Sequence, residues 1–517
     1  MGVQLVWLKR DLRIADHAPL AEAAAAGPCV VLYVYEPAML THPHHDAAHL
    51  RFVNQSLAEL EERLAERGGV LTRRRGDLPG VFDELHAERP FDAVWSHEET
   101  GHAASFDRDK AVRRWCRSQG VAWHERRQTG VVRGLKNRDG WARQWQRFMN
   151  RPAVKPPEAI TPVPGLRGCG ELDAEALGLP ATTMTEAAPG GESVAHDTLD
   201  SFLQHRGVNY RADMSSPVAG WDGCSRLSPY LAFGNVSIRQ AYQATRRRVA
   251  ELREAEKGGG DLDKRWFGSL KSYEARLRWH CHFTQKFDDE PAIESRNMNR
   301  AYDGLRGDTD DQPLGDLDPV KLDAWKHGQT GYPMVDACMR CLAATGWVNF
   351  RMRAMLASFT SYHLWQHWKA PADFLATRFL DYEPGIHFSQ YQMQSGVTGI
   401  NTVRIYSPIK QAKDQDPAGV FIRRWVPELA PLPDEHLAEP HRVPPLLQRS
   451  LGVVVGEHYP PPIVDHPTAY REAKEKTYRR KGQRRTREAS QRVYAKHGSR
   501  KRGRTQRIAT GRFSASD

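Results

Sequence analysis

WKHGQTGYPMVDACMRCLAATGWVNFRMR, from Trp325 to Arg353, is the stretch that decides how the rest of this chain is read. Gly331, Tyr332 and Pro333 predict a turn, because Gly and Pro are the strongest local breakers of regular structure. Asp336, Met339, Leu342 and Ala343 then recur at helical spacing toward Gly346 and Trp347. The expected product is a turn, a largely apolar helix, a second turn and a helix carrying Arg351 and Arg353. Periodicity alone reads this as a buried helical hairpin.

Working outward, 517 residues exceed one ordinary core, so two or more domains are expected. Apolar residues make up 40% and charged residues 26%, a soluble balance. No apolar run approaches the roughly 18 residues of a membrane span. Lys9 and Arg10 follow the first apolar stretch, the reverse of a secretory signal, so the chain is read as cytoplasmic and free of membrane. The seven cysteines are scattered and odd in number, which does not suggest a disulfide framework. Cys338 and Cys341 have metal-like spacing but sit in the apolar helix with no second pair, so no metal is expected.

Charge is unevenly placed. Residues 471–517 hold seventeen Lys/Arg against four Asp/Glu, a balance of +13 against +11 for the whole chain; the first 470 residues therefore carry −2. Such a basic run is either disordered and solvated or an arm that releases counterions from nucleic acid. From residue 466 onward a basic, disordered tail is expected.

Short apolar runs at Val3 to Leu8, Cys29 to Tyr35, Phe91 to Ser96 and Val121 to His124 read as buried parallel strands, with helices between them such as Arg51 to Arg67. Residues 1–130 are therefore expected to form a doubly wound α/β domain. Pro- and Gly-rich residues 131–195 read as an interdomain connection over the surface. Residues 196–465 carry helical patterns almost throughout and predict an all-α domain. The histidines at 42, 44, 45 and 49 admit a metal site or a solvated loop, and the loop is expected.

The chain resembles the photolyase/cryptochrome family in several blocks that occur in family order. These are VWLKRDLRIADHAPL (Val6 to Leu20), CSRLSPYLAFGNVS (Cys224 to Ser237), the Trp325 to Arg353 stretch, FIRRWVPEL (Phe421 to Leu429) and YPPPIVDH (Tyr459 to His466). The resemblance implies an α/β antenna domain, then an all-α domain that folds around FAD. It also implies light-driven splitting of pyrimidine dimers, UV-damaged DNA as partner and a monomer. A second antenna chromophore of unknown identity is possible by the same resemblance. Some relatives carry an iron–sulfur cluster on C-terminal cysteines; with no cysteine after Cys341, none is expected here.

Carried over residue by residue, the family's diphosphate contacts fall on Tyr210, Cys224 (a threonine in the family), Ser225, Arg226, Leu227, Ser228 and Arg278. Arg353 and Asp381 match an ion pair against the flavin, Glu383 an acid that accepts from its imide, and Trp347 a packed tryptophan. Glu274 and Arg351 match catalytic contacts to the damaged bases. The asparagine facing the central flavin nitrogen falls on Phe388, which cannot accept a hydrogen bond. The two stacking tryptophans fall on Leu277 and Met393. An electron route would run through Tyr391 and Trp368, completed by Trp365 or Trp325. Arg404 resembles a DNA-phosphate contact, and Lys410 continues that basic edge. Three functions are left open by these residues: a cyclobutane-dimer lyase, a (6-4) lyase using His387 as proton donor, and a cryptochrome-type blue-light receptor without repair.

Overall fold

The computed structural model describes residues 2–498. Five parallel strands, β1 (Gln4–Leu8), β2 (Cys29–Tyr35), β3 (Leu71–Arg75), β4 (Ala93–His97) and β5 (Ala122–Arg126), lie in the order β3-β2-β1-β4-β5. Helices α1 (Ala18–Ala26), α2 (Ala47–Ala65), α3 (Gly80–Glu88) and α4 (Ala103–Gln119) connect them. β1 and β2 are buried on nearly every residue, as strands covered on both faces must be. β3, LTRRR, was not among the expected strands. It is an edge strand whose apolar content ends at its first residues, so it lacks the apolar run that marks its neighbours.

The connection after β5 is more structured than its composition suggests. Helix α5 (Trp141–Asn150) buries Trp141 and Trp145, and the Cys29 amide donates to the Thr161 carbonyl at 2.8 Å, tying the segment to the sheet. Beyond it the elements are helical. Those that matter below are α6 (Ser228–Ala232), α7 (Ile238–Lys257), α8 (Arg265–Asp289), α9 (Pro333–Thr345), α10 (Phe350–Ser358), α11 (Lys369–Arg378), α12 (Pro384–Gln394) and α13 (Pro408–Gln415). Among the described residues no helix is long and apolar enough to cross a membrane.

The Trp325–Arg353 stretch forms the expected hairpin. Asp336 is wholly buried and accepts from the Thr330 amide (2.8 Å) and hydroxyl (2.6 Å) and from the Gly331 amide (3.1 Å), so it ties the turn to the helix it precedes. Gly331 has φ +75°, and a Cβ there would fall 2.4 Å from the Pro461 backbone. Gly346, at φ +70°, ends α9.

Two expectations are corrected. The start of the basic tail is helical: α14 (His466–Gly482) and α15 (Arg484–His497) bury Ala473, Thr477, Ala489 and Val493 on stripes four residues apart. The remainder of the tail lies outside the described residues. The four histidines are no solvated loop either. His44 bonds Asp373 (2.9 Å) and the Tyr382 hydroxyl (2.9 Å), and His49 bonds the Phe379 carbonyl (2.9 Å), so they join the two domains.

Candidate functional site

Within the helical domain a cavity of about 470 Å³ opens between α8, α10, α12 and the segment entering α6. Helical phase decides which residues of α8 reach it. Tyr273, Leu277 and Cys281 form the apolar stripe that enters the core, so the cavity receives Arg276, Trp279, His280 and Phe283. Trp279 is 39% exposed and stacks on Phe283 with ring centroids 5.4 Å apart.

Arg353 and Asp381 form a bidentate pair, with both nitrogen–oxygen distances 2.8 Å. Burial works to raise the Asp381 carboxyl, but the Arg353 charge and the Ser228 hydroxyl overcome it and hold it below its ordinary value. His280 Nε2 meets Glu383 Oε1 at 2.7 Å. Burial opposes protonation of His280, yet the Glu383 charge prevails and raises the imidazole to about 10. Across the cavity, Arg226 adopts φ +60° and lays its guanidinium 3.9 Å from the Trp347 ring and 4.2 Å from that of Trp221. Arg206 donates to the Asp222 (2.6 Å) and Cys224 (2.7 Å) carbonyls, fixing the loop that presents Cys224, Ser225 and Arg226. Burial pushes the Cys224 thiol up to about 11, so it stays a neutral thiol.

Of the residues expected from sequence, Tyr210, Cys224, Ser225, Arg226, Ser228, Trp347, Arg351, Arg353, Asp381, Glu383, Tyr391 and Arg404 line this cavity. The others do not. Glu274 faces away and pairs with Arg246 at 3.4 Å, because it stands about half a turn around α8 from the cavity stripe. Leu277 is in the core, and Arg278 is exposed on another face of the same helix. Leu227 buries its side chain in the core beneath the loop. Phe388 lies behind the wall, packed on Trp368, Tyr382 and His44, while the preceding His387 takes the cavity position. Trp368 is wholly buried and donates to Asn297 at 2.7 Å, and Met393 and Lys410 lie outside the lining. Gly331 and Asp336 of the opening stretch support the hairpin and do not touch the cavity, whereas Trp347, Val348, Asn349, Phe350, Arg351 and Arg353 do.

Sequence reasoning missed Arg276, Trp279, His280 and Phe350, and gave His387 only as the proton donor of the (6-4) alternative. His387 donates from Nε2 to the Ala372 carbonyl at 2.8 Å, and burial lowers it to about 4, which keeps it neutral with Nδ1 as an acceptor. Four buried polar atoms of the lining, His280 Nδ1, Asn349 Oδ1, Arg351 Nε and Gln390 Oε1, have no partner among the described residues. Arg226, Arg276, Arg351 and Arg404 line it with no ion pair among the described residues. Unpaired cations and orphaned polar groups around an apolar cavity fit an anionic ligand with many hydrogen-bonding edges.

Residues 273–479 match the FAD binding domain of DNA photolyase, and residues 4–140 match DNA photolyase. The deoxyribodipyrimidine photo-lyase of Halobacterium salinarum is 29% identical over 503 residues, covering 90% of this chain and 96% of that protein. Cryptochrome-2 of Arabidopsis thaliana is 30% identical, covering 90% and 77%. A class III photolyase structure from Agrobacterium tumefaciens superposes with a TM-score of 0.80 at 25% identity, over 93% of this chain and 98% of that one. The cavity residues fit the FAD that this domain binds: Arg226, Tyr210 and the serines would meet the diphosphate, and the Arg353–Asp381 pair, Glu383 and His387 the ring system. The chain belongs to the DNA photolyase and cryptochrome family.

Proposed function

We propose that this protein is a light-driven DNA lyase that splits cyclobutane pyrimidine dimers extruded from UV-damaged DNA. One observation carries the reading: Trp279, exposed at the cavity edge and backed by Phe283, lines the same cavity as the guanidinia of Arg351 and Arg404, which have no ion pair among the described residues. Stacking on an aromatic is worth roughly 1–3 kcal/mol per base, and cations that pair with no protein carboxylate are free for phosphate. Extrusion costs a few kcal/mol, least at a lesion that is already poorly stacked. When bound, reduced FAD supplies light absorption and the electron. Arg276 and Arg351 would donate to the dimer's carbonyl oxygens, where negative charge builds up. Arg404 would hold the backbone. An antenna chromophore would add absorption without changing these roles.

His387, kept neutral by burial, is a poor proton donor, which favours the cyclobutane dimer over the (6-4) product. The rival is a cryptochrome-type receptor. It is favoured by Glu274 facing away from the cavity: among the described residues both carboxylates in the lining, Asp381 and Glu383, are already paired. Oligonucleotides containing either lesion, illuminated with reduced holoprotein, separate the three. Light-dependent loss of cyclobutane dimers supports the proposal. Loss of neither lesion favours the receptor, and loss of the (6-4) product alone favours the other lyase.

A further inference from the structure

A second cavity, of about 390 Å³, lies away from the flavin site between α14, the loop of residues 305–316 and Trp365. Its chemistry is cationic and aromatic. Lys476, Arg479 and Arg480 reach it from one stripe of α14, Gln483 follows just beyond the end of that helix, and Arg306 and Trp365 form the opposite wall. Asp316 is the one carboxylate in the lining.

Three features show that the site is built. Arg306 is 3% exposed, yet no carboxylate lies within ion-pair distance of it among the described residues. Its Nε and Nη2 donate to the Ser361 and Ser395 carbonyls, both at 3.0 Å, leaving Nη1 without an acceptor among the described residues. A buried cation without a counter-ion is costly, and burial lowers the basicity of this guanidinium accordingly. Second, Trp365 is held at φ +52°, a left-handed conformation that is strained for a bulky residue. The strain leaves the indole in the cavity wall, with the Arg306 guanidinium 4.9 Å and the Lys476 ammonium 5.0 Å from its ring. Third, Arg480 donates to the Ala301 and Asp303 carbonyls at 3.0 and 2.9 Å, fixing α14 against the wall, while Arg479 has no ion pair among the described residues.

We propose that this cavity binds a small nucleoside phosphate. The phosphate would take Arg479, Lys476 and the open nitrogen of Arg306, and the base would lie against Trp365. Charge-assisted bonds from guanidinium to phosphate are the strong contacts such a site can make, and a volume of this size suits a ligand of that class. Lys476 is a flexible point charge that pairs with Glu472 at 3.2 Å and lies over the indole, so binding takes it from both to the phosphate.

Calorimetric titration of the FAD-loaded protein tests this: FAD then fills the diphosphate contacts of the flavin cavity, and the double substitution below separates this site from Arg351 and Arg404. AMP is expected to bind saturably at one site, at least tenfold more tightly than inorganic phosphate. Lys476→Ala with Arg479→Ala, on the solvent side of α14, is expected to weaken AMP at least tenfold while the flavin spectrum and thermal midpoint stay unchanged. Trp365→Leu should remove the advantage of AMP over phosphate. No saturable AMP binding, or binding that survives the double substitution, overturns the proposal. So does binding shown only by a single-stranded oligonucleotide, which would assign the cations to a nucleic-acid strand.

Discussion

His280 and Glu383 meet at 2.7 Å across the flavin cavity, linking α8 to the turn that starts α12. The imidazole is raised to about 10, well above its ordinary 6.5, so its stabilisation is complete below pH about 6.5 and is lost as pH climbs through 10. The thermal midpoint of the flavin-free protein should therefore fall between pH 7 and 10. Glu383→Gln should start lower and lose this slope. An unchanged slope in that variant would show that the pair does not titrate as described.

The register of α8 gives a paired test. Trp279→Ala should weaken binding of a dimer-containing oligonucleotide roughly 5- to 150-fold, matching the loss of about 1–3 kcal/mol of stacking, with flavin content unchanged. Leu277→Ala should instead destabilise the fold by about 2–5 kcal/mol, since it leaves a hole in the core. Fluorescence anisotropy and chemical denaturation read the two effects. Reversal of the two phenotypes would return Leu277 to the cavity.

That same helix shows how far the sequence was legible. The family blocks identify the flavin domain and place Arg353, Asp381, Glu383 and Trp347 on the cavity wall, because each sits beside a turn or a Gly or Pro that anchors the alignment. Within long helices no such punctuation exists, and a slip of one or two residues rotates a side chain off its face. The correction was present in the pattern: Tyr273, Leu277 and Cys281 mark a core stripe, and Phe388 with Gln392 marks another on α12. The helices α14 and α15 were hidden by charge, since their buried residues are small and few. The seam of His44 and His49 was illegible because its partners, Asp373, Phe379 and Tyr382, lie more than 300 residues away.

His387 supplies a neutral acceptor where Phe388 had been expected. Replacing it with Leu removes a hydrogen bond worth about 1 kcal/mol and should lower the two-electron potential of bound FAD by tens of millivolts, while Asn should restore it. Potentiometric titration against a dye measures the shift. Equal potentials in all three proteins would place His387 out of reach of the flavin.

Arg353→Ala strands the Asp381 carboxylate in the interior, a loss of about 3–5 kcal/mol. The purified variant should retain little yellow colour and should melt earlier than the wild type. Asp381 itself is held below its ordinary range, so its contribution is present above pH about 4 and disappears as pH falls through the lowered value. Flavin release should therefore begin in acid, and at a higher pH in a variant whose pair is weakened by Arg353→Lys.

The central claim is that an extruded dimer sits against the flavin, and fluorescence lifetime of the reduced holoprotein tests it most directly. Adding an oligonucleotide with one cyclobutane dimer should shorten the lifetime severalfold, and the undamaged strand should leave it unchanged. A lifetime that stays constant while anisotropy shows the damaged strand bound would contradict the account.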